Sequence, residues 1–517
     1  MPGDATTIPL EDPSLGAARR GLLRGRMGTW SDAGTRTRIG ALAMVTIVAL
    51  GLFVVMMAAN RPSLLSPTTH VNFFPRWMAG PLGGLMPGMS GNSTTLKYWF
   101  TGAIVLMYVC YLVTLRCVPQ LPVRWVLTTI VAVHMVFVLA PPLALTDVFN
   151  YINYGRMEVV HHLNPYTTIP ILEPHDDPSY NLSNWHQLLS PYGPLFTLLT
   201  FVVVPLGVAG SFWALKFLLA AASLTMLFFV WKCARLLGRD PLAAVALVGL
   251  NPIVLVWGLG GEHNDALMLL CIVLGFYLLL RARVARESRG EPSAAGVRGW
   301  LLPLSPAEIG AGAAFVVAIA IKASGAVLLP VVLVGLLRTP RALVQALLGM
   351  AAAAVAVGAM SLLAFGLHIP DLSTQSRLVT SESVPNLIGL AVGAGGETKT
   401  LHTLMTGALL LSVLWCCWFA WSRRQPAADR SITASGWASV ALLMTLSWVL
   451  PWYVLWALPL AALSSSRRLR TAVLAIGVYL IIAWAPASGL LWNKIGFHPE
   501  KTPLGRLHQR IVKELLN

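Results

Sequence analysis

Charge is the scarcest property of this chain. Only 11% of its 517 residues are Asp, Glu, Lys or Arg, 56% are hydrophobic, and the mean hydropathy is +0.70. A water-soluble surface of this size needs far more polar cover, which excludes a soluble globular enzyme. The apolar runs also lack period-2 alternation, which excludes an outer-membrane barrel. No P-loop, GxGxxG turn, nucleophile elbow or zincin helix occurs, so nucleotide hydrolysis, hydride transfer and triad hydrolysis have no support. Cysteine is sparse: Cys110, Cys117, Cys233, Cys271, Cys416 and Cys417 lie in apolar runs or at their ends, without metal-knuckle spacing, and read as packing residues.

Long apolar segments fill the sequence instead, among them IGALAMVTIVALGLFVVMMA and LLGMAAAAVAVGAMSLLAF, of a length that crosses roughly 30 Å of hydrocarbon at about 1.5 Å per residue. The fold class is therefore all-α, a polytopic transmembrane bundle. Spans are expected near 40–60, 98–116, 125–143, 211–232, 241–257, 266–281, 307–321, 323–337, 343–366, 401–421, 432–450, 452–465 and 470–487, about thirteen helices. The proline-interrupted stretch 191–208 is expected to be an interfacial or re-entrant helix on the outer face.

The net charge of +16 follows the same pattern. Basic residues cluster at Arg19–Arg38, Lys232/Arg235/Arg239, Arg281–Arg298, Arg338/Arg341, Arg423/Arg424/Arg430 and Arg467/Arg468/Arg470. By the positive-inside rule these loops face the cytoplasm, so the surplus is an orientation signal in a plasma-membrane protein and implies no nucleic-acid partner. The first span has no cleavage site after it and reads as an anchor. The expected organisation is a mobile basic cytoplasmic tail (1–38), an N-terminal helix pair (39–124), a transmembrane core (125–487) and an extracytoplasmic C-terminal tail (488–517). The core's outer loops are 144–210, 258–265 and 367–400, and unusual polar residues concentrate there.

Asp147, in PPLALTDVFNYINYGRM, places a carboxylate within about a turn of the hydrocarbon edge. It suits a helix N-cap and a general base equally, and the two roles are compatible. The same loop carries Tyr151, Arg156, His161, His162, His175, Asp176, Asp177 and Tyr192, a polar substrate surface. The histidines could hold a metal, but adjacent histidines diverge by about 100° on a helix and a solvated loop is the simpler reading. In WGLGGEHNDALM, Glu262, His263, Asn264 and Asp265 crowd a helix N-terminus, where a cap explains one polar residue but not four. Lys216 and Lys322 lie inside apolar sequence; each could snorkel to the interface or bind a lipid phosphate, assisted by Arg377. The aromatic residues of SWVLPWYVLWALPL suit an interface belt better than a ligand contact.

Together these features resemble the integral-membrane GT-C glycosyltransferases. The ordered set TDVFNYINYGR, LNPY, SPYGPL, LNPIVLVWGLGGEHNDALM, IKASGAVLLP, SVPNLIG and PWYVLWALPL is similar to the actinobacterial polyprenyl-phosphate-mannose-dependent α-1,6-mannosyltransferases across residues 146–460. The resemblance implies an inverting enzyme that moves a sugar, mannose first, from a polyprenyl-phosphate donor to a cell-envelope glycan or lipoglycan on the extracytoplasmic side. It implies Asp147 as general base, Lys216, Lys322 and Arg377 at the donor phosphate, and Glu262, His263, Asn264, Asp265, Tyr151, Arg156 and Tyr192 around sugar or acceptor. No cofactor and no obligatory metal is expected, because a phosphate monoester leaving group needs positive charge but carries no nucleotide diphosphate. The loop 61–97 contains no acidic residue, which leaves the loop after the third span as the catalytic one. Alternatives are transfer of another polyprenyl-linked sugar such as arabinofuranose, or a flippase, although the polar residues gather at one face rather than at the midplane.

Overall fold

The computed structural model describes residues 33–60, 75–82, 93–143, 147–289, 304–422 and 427–516. Most of the expected N-terminal tail and of the loop 61–97 lies outside the described residues. The last six tail positions, 33–38, already belong to the first helix.

Every regular element among the described residues is helical. Six helices are long and apolar enough to cross a membrane: Ala33–Ala59, Thr94–Gln120, Pro194–Leu236, Asp265–Ser288, Pro340–Phe365 and Lys399–Trp421. A seventh arises if Arg467–Trp484 and Ser488–Lys494, bent by 75°, form one span. The expected thirteen is therefore not met by length and apolarity. Four further apolar helices, Val123–Val138, Pro306–Ile321, Ala323–Leu336 and Pro451–Leu463, run only 10–17 residues, less than the roughly 20 needed for 30 Å. Their ends are set by local chemistry: Lys322 is extended (φ −151°, ψ 124°), and Pro330, Pro451 and Pro459 sit in first turns, where a missing N–H is tolerated.

The elements that build the site are α1 (Asp147–His161), α2 (Pro194–Val203), α3 (Gly207–Leu236), α4 (Asp265–Ser288), α5 (Pro306–Ile321), α6 (Pro340–Phe365), α7 (Val384–Ala391) and α8 (Pro503–Leu516). The stretch 191–208, expected to be interfacial or re-entrant, does form a helix, α2, which runs on through Val204–Leu206 into α3. Together α2 and α3 make 43 residues, about 65 Å at 1.5 Å per residue and twice a hydrocarbon core. Pro205 and Gly207 (φ 71°) break them apart. The expected C-terminal tail is folded, with α8 presenting Leu515 to a small apolar cluster.

The main core is continuous and includes Tyr111, Phe137, Phe149, Phe212, Leu255 and Leu458. Outward-facing positions stay apolar as well: Leu363 is 88% and Leu411 is 68% exposed, as expected for side chains that meet lipid. All six cysteines are free, and three are buried among apolar neighbours.

Candidate active site

Helix α1 begins at Asp147, so the carboxylate stands in the first turn, where the helix dipole favours negative charge. The face behind it is packed: Phe149, Tyr151, Ile152, Tyr154 and Met157 are buried. The loop that follows is tied down by its own motifs. Asn164 of LNPY donates from its amide to Phe365 O (2.9 Å), and Tyr166 OH donates to Tyr192 O (2.8 Å). Gly193 of SPYGPL donates its N–H to Ile321 O (3.2 Å), and a Cβ there would stand 2.1 Å from Ala320 O, so only glycine permits this approach.

Opposite Asp147 lies the turn after the wide helix Val254–Leu259. Leu143 N donates to Gly260 O (2.7 Å), fixing the turn to the strand of chain that leads toward Asp147. Glu262 adopts φ +52°, a conformation uncommon for a side chain of its size. The reversal sets His263 Nδ1 3.2 Å from Asp147 Oδ2, within ion-pair range although off the hydrogen-bonding direction. The imidazole lies flat on Trp452, ring centroids 3.4 Å apart and planes 11° apart.

Lys322 is held by the break between α5 and the following helix. Its ammonium donates to Asp265 Oδ2 (2.7 Å) and lies over the rings of Tyr453 (5.5 Å) and Trp456 (5.8 Å). Asp265, fully buried at the start of α4, also accepts from Trp456 Nε1 (2.5 Å). An ammonium has three donors, so Lys322 keeps capacity for a ligand. Its side chain is 20% exposed, and that opening faces a cavity.

The cavity has a volume of about 370 Å³, within the range of ligand sites. Asp147, Tyr192 and Lys322 line it together with Trp452, Tyr453 and Trp456. Leu372, Leu378, Leu442, Leu446 and Leu450 make the rest of the wall largely apolar. The aromatic residues of SWVLPWYVLW thus wall the cavity, with Trp452 and Trp456 at 2% and 6% exposure; they do not form the expected interface belt. Trp185, an aromatic of the polar loop 144–210, and Trp448 of SWVLPWYVLW also line the cavity, as do Tyr154 and Gln375, which sequence reasoning did not single out as site residues.

Several expected site residues stand elsewhere. Lys216 is 2% exposed and forms a closed ion pair with Glu262, with a further bond to Ala140 O (2.7 Å), so it does not reach the cavity. Arg377 is exposed on the single turn Gln375–Arg377, whose other two residues line the cavity while it does not. Tyr151 is buried behind Tyr192, edge-on at 4.6 Å, and its hydroxyl accepts from Asn264 N (3.3 Å). Asn264 is buried, and its side-chain amide has no hydrogen-bond partner.

Arg156 grips Asp177 through Nε (2.9 Å) and a second nitrogen (2.8 Å), about 13 Å along α1 from Asp147 by helical rise, and so braces the loop. Burial alone would raise the Asp177 carboxyl, but Arg156, Ser179 and His161 outweigh it and hold it well below the usual carboxylate range. Neighbouring Glu173 is buried, and burial pushes its carboxyl up to about 8. His161 is bound to Asp177 (2.8 Å) and His175 stacks on Tyr180. Among the described residues no three His, Cys, Asp or Glu side chains gather as a metal site.

Asp147 and Lys322 thus share one cavity walled by aromatic rings and apolar side chains, an arrangement able to hold a polar, hydroxyl-bearing group. Comparison with known proteins gives the family. Residues 37–338 match the family described as alpha-(1->6)-mannopyranosyltransferase, N-terminal domain, and residues 380–497 match the MptB C-terminal domain. The chain belongs to the α-(1→6)-mannopyranosyltransferase family and is a glycosyltransferase of that family. It is 28% identical over 381 residues to alpha-(1->6)-mannopyranosyltransferase A of Mycobacterium tuberculosis, covering 67% of each chain. It is 27% identical over 390 residues to a probable alpha-(1->6)-mannopyranosyltransferase of Mycolicibacterium smegmatis (68% of this chain, 67% of that one). The Corynebacterium glutamicum enzyme A is 24% identical over 364 residues (63% and 68%). No solved structure matches.

Proposed function

We propose that this protein transfers mannose from a polyprenyl-phosphate donor to a hydroxyl of a cell-envelope glycan or lipoglycan, on the extracytoplasmic side and with inversion at C1. Asp147 is the general base. It takes the proton of the acceptor hydroxyl as that oxygen attacks C1, while the C1–O bond to phosphate breaks and the polyprenyl phosphate leaves with the electron pair. Lys322 receives the charge that develops on the phosphate. The leucine-rich wall takes the first isoprene units, and Trp452 and Tyr453 offer ring faces to the sugar. His263 stands beside Asp147, its Nδ1 3.2 Å from the carboxylate, where it can take part in orienting the acceptor.

The observation that carries this reading is that one cavity is lined by both Asp147 and Lys322 among apolar side chains. The positive-inside pattern of the basic loops supports a cavity on the extracytoplasmic side and an N-terminus in the cytoplasm. Asp147→Asn tests the base. Mannosyl transfer by the purified full chain should fall by about 10² to 10⁴, with melting temperature unchanged. Wild-type turnover in that variant would refute the assignment.

A further inference from the structure

A second cavity, of about 290 Å³, lies against α8 beside the candidate active site. The two are separated by little more than one layer of side chains. Leu378, Trp185, Leu188 and Trp448 line the catalytic cavity and cluster with Leu515, Ile511 and Val512 of α8, and Val512 also lines the second cavity. The main chain is tied across the same wall by Gln187 N donating to Leu515 O (3.1 Å).

The face that α8 turns to this second cavity is unusual. Gly505, His508, Gln509, Val512, Lys513 and Leu516 recur at the three- and four-residue spacing of one helix face. The neighbouring face, through Ile511 and Leu515, does the packing. It carries three polar side chains, the half-buried His508 and the exposed Gln509 and Lys513, none of which has a hydrogen-bond partner among the described residues, so their donors and acceptors remain open to a ligand at the cavity mouth. Ser381 and Val379 supply the opposite wall. Mixed polar and apolar lining of this kind suits a pyranose, whose hydroxyls need donors and acceptors while its C–H faces need apolar contact. Both family matches end before α8, at residues 338 and 497.

We propose that this cavity is a distal acceptor subsite, which holds a hexose unit of the acceptor glycan remote from the reacting hydroxyl and is formed by His508, Gln509 and Lys513 with Ser381. The inference rests on the transferase reading above. Burial lowers the His508 imidazole below its usual range, against a smaller opposing influence of Glu397. The ring is therefore neutral near pH 7 and offers one donor and one acceptor nitrogen, as a sugar hydroxyl requires.

The test measures binding of α-1,6-mannobiose and α-1,6-mannotetraose to the purified full chain, with transfer assayed separately. Wild type should bind the tetraose about tenfold more tightly than the biose. His508→Ala with Gln509→Ala should remove that tenfold advantage and leave biose affinity unchanged. Gln509→Ala alone, an exposed change that spares the packing, should remove about threefold of it, so the subsite stays testable if the double variant melts early. Equal wild-type affinity for both lengths, no binding of either, or variants that keep the length preference would each overturn the subsite. Asp147→Asn should keep tetraose affinity while losing transfer. A wild type that shows the length preference but transfers nothing would sink the transferase reading and leave the subsite standing.

Discussion

Lys216 and Lys322 look alike in sequence, each an isolated cation in an apolar run, and each is paired with an acid from the same GEHND turn. Their surroundings differ. The Lys216 side chain is 1% exposed and its partner Glu262 fully buried, whereas Lys322 is 20% exposed onto the cavity that Asp147 also lines. The first pair ties α3 to the turn that carries His263, and with Ala140 O it braces the end of the helix Val123–Val138. The second leaves donors free toward a ligand. A charge in apolar sequence thus marks either a strut or a site, and what separates them is whether the partner closes it off.

Breaking each pair in turn should separate the two roles. Lys216→Met leaves Glu262 buried and unpaired and should destabilise the protein by about 3–5 kcal/mol, read as a large fall in melting temperature, with donor KM of the surviving protein unchanged. Lys322→Met should reverse that profile: transfer drops by about 10² or more and the melting temperature moves less, because Asp265 keeps its bond from Trp456. A raised donor KM in Lys216→Met, or an unaffected rate in Lys322→Met, would invert the comparison.

The contrast extends to the carboxyl groups of the loop after α1. Glu173, pushed up to about 8 from an ordinary 4.5, binds more protons folded than unfolded between those values, so its contribution to stability is present at acid pH and lost as pH rises through about 8. Glu173→Gln should flatten the pH dependence of melting across that window, and an unchanged slope would contradict the burial argument. The smallest effect is expected at Arg377, which is exposed and off the cavity wall: Arg377→Ala should change transfer by less than about threefold.

Much of this was legible in the sequence. Helical class and membrane residence follow from hydropathy and charge position, whereas the grouping of Asp147, Lys322, Asp265 and Tyr192 at one site was an implication of the family resemblance carried by the ordered motifs. What sequence spacing could not convey was pairing across elements. Lys216 meets Glu262 over 46 residues and Trp456 meets Asp265 over 191, and no local pattern announces either. The same blindness made the 448–456 aromatics look like an interface belt, since a ring that walls a cavity and one that meets lipid headgroups have identical neighbours in sequence. The span count suffered from a different cause: hydropathy windows do not see an extended Lys322 or a first-turn proline that shortens a helix.

The central claim is that Lys322 receives the donor phosphate while Asp147 faces the sugar. A structure of the full chain with a polyprenyl-phosphate ligand tests it most directly. The account predicts phosphate oxygens within hydrogen-bond distance of Lys322 Nζ and the Asp147 carboxylate within reach of an acceptor oxygen at C1. Phosphate bound beside Lys216, or lipid lodged away from the cavity shared by Asp147 and Lys322, would contradict it.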